Sequence, residues 1–145
     1  MVDPKVRLHQ MITKLKANNF RITPQRLAVL KILAASHDHP SVERTYEQVK
    51  KKFPTTSLAT IYKTIALLKE VNEVLEICGA EGSRFDGNKP YPHPHVICLK
   101  CKKILDPDLL GLEKLTEEAA LRTGFRIIDH RLDFFGICPE CQGKE

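Results

Sequence analysis

Residues 92 to 106, PHPHVICLKCKKILD, hold two histidines, two cysteines and an aspartate within fifteen positions. All five are metal-ligand types, and their spacing separates them into two chemistries. Cys98-x-x-Cys101 is matched further on by Cys138-x-x-Cys141, with 36 residues between the pairs. Four thiolates in two such pairs suit a closed, tetrahedral structural zinc site. A redox C-x-x-C and cysteines with no common role are the competing readings, and two motifs of the same spacing favour the metal. Cys78 stands apart from both pairs and reads as a small buried hydrophobe. His93 and His95 lie outside the cysteine pattern. One residue apart in an extended segment, they point to the same side of the chain. With a carboxylate in reach, Asp106 after the next β-prone piece or Asp86 before the prolines, such a pair suits a first-row divalent ion. From spacing alone, two exposed loop histidines holding no metal fit equally well.

The elements that must carry these residues are small. DGNKPYPHP, residues 86 to 94, has three prolines and a glycine, too stiff for a helix and too irregular for a strand, and reads as a hinge. Beyond it come a β-prone HVIC, a second piece KKILD, a helix LLGLEKLTEEAALRTG ended by Gly124, and a long β-prone run FRIIDHRLDFFGI. One helix over three strands is too little core for such a short segment to stand alone, so a metal or a second subunit must help hold it.

Before the hinge the pattern is helical. Thr23 is an N-cap followed by Pro24 at the first helical position, with Leu27, Leu30 and Ala34 along one face. Ser41 caps a second helix whose apolar residues Val42, Tyr46, Val49 and Phe53 recur at helical spacing until Pro54 stops it. Ser57 caps a third, striped by Leu58, Ile61, Ile65 and Leu68, with Ala59, Thr60, Tyr62, Lys63 and Ala66 on the other face. Small residues beside a hydroxyl, a phenol and an ammonium let a helix sit deep in a DNA groove, although a plain solvated helix has the same look. VLEICGAEGSRF then reads as two strands around a Gly-Ala-Glu-Gly turn, the wing of a winged helix-turn-helix.

Charge favours the nucleic-acid reading. Residues 1 to 84 carry 14 Lys and Arg against 8 Asp and Glu, net +6, while residues 85 to 145 carry 9 against 10, net −1. A polyanion is the natural partner of the first part. The run Lys50, Lys51, Lys52 adds less, because lysines at a helix C-terminus also offset its dipole. A chain of 145 residues buries roughly 70% of its unfolded surface, and no apolar run approaches the ~20 residues of a membrane span. The N-terminus lacks a signal-peptide layout, so a cytoplasmic address and reduced cysteines are expected, with no membrane partner. An enzyme using His93, His95 and Asp106 around a catalytic metal would need a base or nucleophile that the neighbouring sequence does not offer.

Taken together, RITPQR, HPS, ATIYKTI, SRFD, HPHVICLKC and DHRLDFFGICPEC resemble the ferric uptake regulator (Fur) family over nearly the whole chain, most of all its peroxide-stress branch of PerR-like members. The resemblance implies an α+β fold: a winged helix-turn-helix domain over 1–85, a hinge over 86–92 and a small α/β dimerisation and metal-binding domain over 93–145. It implies a homodimeric repressor of palindromic operator DNA, not an enzyme. Structural zinc would sit on Cys98, Cys101, Cys138 and Cys141, and regulatory Fe(II) or Mn(II) on His39, Asp86, His93, His95 and Asp106. Spacing alone makes His39 an ordinary loop histidine. DNA contacts would fall to Tyr62 and Lys63, with Thr60 on the same face and Arg21 entering the minor groove. His9, His37 and His130 lie off the ligand pattern. Aspartate at 106 matches the peroxide branch, where iron-sensing members tend to carry glutamate, and oxidation of a ligand histidine would then release the DNA. A repressor answering to iron, zinc or manganese supply is the alternative. Pro92 and Pro94 depart from the pattern, and by stiffening the hinge they would hold the metal-free form near its DNA-binding shape.

Overall fold

The computed structural model describes residues 2–79 and 82–144, which form two compact units divided between Tyr91 and Pro92. The first unit has four helices and a two-stranded hairpin. The helix α1 (Pro4–Ala17) opens on an Asp3 cap, whose carboxylate accepts the Lys5 N–H at 2.8 Å. It was not singled out in the sequence, although Asp3-Pro4 is a cap-and-first-turn signal like Thr23-Pro24. Next come α2 (Pro24–Ala35), α3 (Val42–Lys52) and α4 (Leu58–Glu70), and the hydroxyls of Thr23, Ser41 and Ser57 cap them as expected. Each hydroxyl accepts an N–H three residues on, at 3.1 to 3.2 Å.

The apolar stripes of the four helices meet in one core, where Met11, Leu15, Leu30, Leu33, Ile61 and Leu68 are fully buried. Leu58, expected in the stripe of α4, is at the surface, while Thr45 and Thr64 are buried. Helices α3 and α4 are the helix-turn-helix. After them, β1 (Leu75–Gly79) pairs antiparallel with β2 (Gly82–Asp86), from Leu75 opposite Asp86 to Gly79 opposite Gly82. The turn residues 80 and 81 and the side chain of Cys78 lie outside the described residues.

Residues 86 to 91, part of the proline-rich stretch, belong to this first unit. The Asn88 side chain donates to the Val2 and Ala34 carbonyls at 2.8 and 2.9 Å and accepts the Val2 N–H at 2.9 Å. Arg7, buried inside α1, donates from Nε to the Gly87 carbonyl at 2.9 Å and from its other nitrogens to Gln10, the Glu73 carboxylate and the Glu73 carbonyl. A buried guanidinium is tolerable because its donors are used in this way. Gly87 is required by close approach: a Cβ there would lie 2.7 Å from Leu33 Cβ and 2.8 Å from the Leu33 carbonyl oxygen.

In the second unit β3 (His95–Cys98) is central, antiparallel to β4 (Ile104–Leu105) on one side and parallel to β5 (Asp133–Gly136) on the other. The helix α5 (Leu112–Thr123) runs between two left-handed glycines, Gly111 and Gly124, and a short α6 (Pro139–Gln142) follows. The long β-prone run from Phe125 to Ile137 yields a strand only at its end. The reason lies in β3, which offers a ladder over four residues and is preceded by Pro92 and Pro94, neither of which has an N–H to give. The helix α5 buries none of its side chains. Leu110 is 99% exposed, Leu121 86%, Ile128 78% and Phe125 72%, so this unit leaves much of its apolar surface uncovered by its own chain.

Replacing Gly87 by Ala should lower stability by about 1–3 kcal/mol, since the methyl meets backbone that cannot give way. Urea unfolding checks this, and an unchanged midpoint would contradict the packing described.

Candidate metal centres and nucleic-acid interface

Cys98 ends β3, and the chain turns back through Lys102, held in the left-handed region at φ 65°, with its N–H on the Cys98 carbonyl at 3.0 Å. Cys138 and Cys141 bracket the start and body of α6. The four sulfurs lie within 4.8 Å of one another, and Cys101 Sγ is 3.7 Å from Cys138 Sγ. Zn–S bonds of about 2.3 Å in a tetrahedron place sulfurs about 3.8 Å apart, so the donor set is close to the spacing that zinc requires. None of the four cysteines is in a disulfide.

Backbone N–H groups of Cys138 and Cys101 aimed at the Cys98 sulfur pull its pKa down to about 6. Cys141 is pushed up to about 12, first by its hydrogen bond with Cys138 and then by burial. Cys98 is therefore the readiest thiolate of the tetrad, while binding of zinc by Cys141 would require loss of its proton.

The nitrogen and carboxylate donors occur in both units. In the first, His39 sits between α2 and α3 with φ 52°, buried, its Nε2 3.2 Å from Asp86 Oδ2. Arg84 fixes that backbone by donating to the Asp38 and His39 carbonyls, and the Phe85 N–H meets the Pro40 carbonyl at 3.0 Å. Asp86 is itself pinned, because its Oδ1 accepts the N–H groups of Asn88 and Lys89 at 2.9 Å each, which turns Oδ2 toward His39.

In the second unit His93 Nε2 and His95 Nε2 each lie 3.5 Å from Asp106 Oδ1. The two rings, 4.4 Å apart, therefore converge on one carboxylate oxygen, as same-side residues of an extended segment can. Asp133, which the sequence reading did not select, stands 3.3 Å from His95 Nδ1. Strand register alone reveals it, since His95 and Asp133 are partners across β3 and β5. Imidazole nitrogens and carboxylate oxygens together suit borderline first-row divalent ions, so the donors present fit iron or manganese.

On α4, Lys63, Ala59 and Ala66 face solvent. Tyr62 is half exposed, and its hydroxyl donates to Glu43 Oε1 at 3.2 Å, which raises its pKa. The Thr60 hydroxyl is 3.0 Å from Ser57 Oγ and takes part in the helix cap. Arg21 is exposed just ahead of α2, and His9, His37 and His130 are exposed. Among the described residues no helix is long and apolar enough to cross a membrane.

Residues 17–135 match the model of the ferric uptake regulator family. The chain is 41% identical over 138 residues to the peroxide-responsive repressor PerR of Staphylococcus saprophyticus, covering 94% of this chain and 93% of that protein. Its fold resembles that of the ferric uptake regulator Fur of Helicobacter pylori, described as having three functional metal-binding sites, with TM-score 0.83, 25% identity, and coverage of 97% of this chain and 95% of that one. A zinc-bound manganese uptake regulator matches with TM-score 0.70 and 30% identity, over 88% of this chain and 98% of that one.

Zinc uptake at pH 7 should release protons, and zinc affinity should fall as pH drops, more steeply below about 6 where Cys98 must also lose a proton to bind. An indicator in weak buffer and competition with a chelator measure the two effects. Cys138→Ser should lose close to one zinc per chain together with thermal stability; a folded variant retaining full zinc would refute the assignment.

Proposed function

The chain belongs to the ferric uptake regulator family, and from that premise we propose that it is a metal-dependent, homodimeric repressor of operator DNA that senses hydrogen peroxide through oxidation of its own ligand histidines. The observation that carries the reading is the set of nitrogen and carboxylate donors, buried at His39, Asp86 and His95 and partly buried at His93 and Asp106: His39 with Asp86 in the first unit, and His93 and His95 on one oxygen of Asp106 in the second. A single Fe(II) or Mn(II) ion would take its ligands from both units, so that occupancy sets how the DNA-binding helices are presented. A ferrous ion held there would supply the electrons for reducing peroxide, and these imidazoles would lie beside it. Asp106, being a shorter carboxylate, would leave more room at such an ion than a glutamate. The second copy of the chain would cover Leu110, Leu121, Phe125 and Ile128.

For DNA, the exposed face of α4 supports base reading by Tyr62 and phosphate contact by Lys63, with Arg21 reaching the minor groove and Thr60 holding the helix start. The net charge of +6 over residues 1 to 84 supplies the attraction. A repressor answering to metal supply is the second reading, kept by the likeness to a manganese uptake regulator.

Tyr62→Ala should flatten the difference between operator and random DNA, while Lys63→Ala should weaken both, and affinity should fall steeply with salt. Gel-shift titrations at several salt concentrations decide it, and salt-indifferent binding would contradict the nucleic-acid reading. To separate the two sensing readings, the Fe(II) and Mn(II) forms are given a low dose of peroxide and examined by mass spectrometry. The Fe(II) form should gain oxygen on His39 or His93 before any methionine or cysteine and release its operator, while the Mn(II) form should not. An Fe(II) form that holds its operator with both histidines intact would favour the supply regulator.

A further inference from the structure

We propose that Asp133 is a positioning residue for His95, holding its imidazole in the tautomer and orientation that turn Nε2 to the regulatory ion; this rests on the reading of His95 as a metal ligand. His95 is 3% exposed and Asp133 15%, so water competes little for their contact. The Asp133 Oδ1 lies 3.3 Å from His95 Nδ1, while Nε2 on the opposite edge of the ring faces Asp106 Oδ1 at 3.5 Å. A neutral imidazole has one N–H. With a carboxylate at Nδ1 the proton resides there, which leaves the lone pair on Nε2 and makes it more basic.

The contact is built into the sheet and does not depend on a mobile side chain finding its partner. His95 and Asp133 are partners at the first position of the parallel β3–β5 ladder, and the His95 N–H donates to the Leu132 carbonyl at 3.1 Å. The ladder ends at Cys98 opposite Gly136. There the Leu99 N–H meets the Gly136 carbonyl at 2.8 Å and the Cys138 N–H points at Cys98 Sγ at 3.4 Å. The thiolate tetrad therefore closes the end of the ladder whose other end aligns Asp133 with His95. On the outer side, Arg131 Nη2 is 3.5 Å from Asp133 Oδ2, which leaves Oδ1 for the ring.

The test uses the full-length, zinc-loaded protein. Asp133→Ala should weaken Mn(II) binding by about ten- to a hundredfold, measured by electron paramagnetic resonance of free Mn(II), with zinc still close to one per chain. In the Mn(II)-free, zinc-loaded form, ¹⁵N NMR of His95 should report the Nδ1–H tautomer in the wild type and a shift toward Nε2–H in Asp133→Ala. Asp133→Asn, whose amide oxygen still accepts, should keep the tautomer and lose less affinity, and it serves as the test should the alanine variant not fold. A purely structural role for Asp133 would not move the tautomer. Mn(II) affinity within twofold of wild type with an unchanged tautomer in both variants would overturn the proposal. A wild-type protein that binds Mn(II) no better than His95→Ala would instead sink the metal reading, with the tautomer still reporting on Asp133.

Discussion

Four sulfurs gathered at one end of a three-stranded sheet would, around zinc, hold the second unit together, because little else in it can. Its core is Ile97, Ile104 and the stem of β3, and its one long helix buries no side chain. Apolar burial at about 25 cal/mol per Å² cannot order some fifty residues from so few side chains, whereas a zinc tetrathiolate contributes on the order of 10 kcal/mol. The site brings the end of β3 to the segment after β5, two pieces far apart in sequence, at the end of the ladder opposite the His95–Asp133 pair. A zinc ion there would hold that register, and with it the alignment of His95.

The first unit solves the opposite problem. Its helix stripes give it an ample core, and the difficulty is to hold polar donors in position at its edge. His39 is kept in an uncommon backbone conformation by Arg84, and Asp86 is aimed by two backbone N–H groups. Behind them Arg7 and Gly87 lock the following turn onto α1 and α2. Strain of this kind persists only where the surroundings over-determine it, and here a buried arginine, an asparagine with three hydrogen bonds and a glycine without room for a methyl all do so.

In the proposed regulator, one ion would draw on both sets of donors. Because each set is preformed within its own unit, binding would cost little local rearrangement, and the free energy of ligation would be available to bias the conformational equilibrium. An oxidised histidine would no longer serve as a donor, and that bias would be lost. Peroxide sensing and metal sensing would then share one device and differ in what happens to the imidazoles.

Much of this was legible in the sequence, and for local reasons. Thr23, Ser41 and Ser57 announce helices because capping is settled within four residues, and the two C-x-x-C pairs announce zinc because thiolates at that spacing have few other uses. His93 and His95 share a side because a strand alternates with period two. What the sequence could not decide depends on contacts between distant segments. Resemblance, not spacing, put forward His39, and its pairing with Asp86 exists because β2 packs against the loop after α2. The run from Phe125 looked like one long strand, since β propensity is a property of residues, but pairing needs a neighbour, and β3 with its preceding prolines offers one only from Asp133 to Gly136. Asp133 itself carries no local mark. It became a partner of His95 through strand register, which is set by the ladder as a whole.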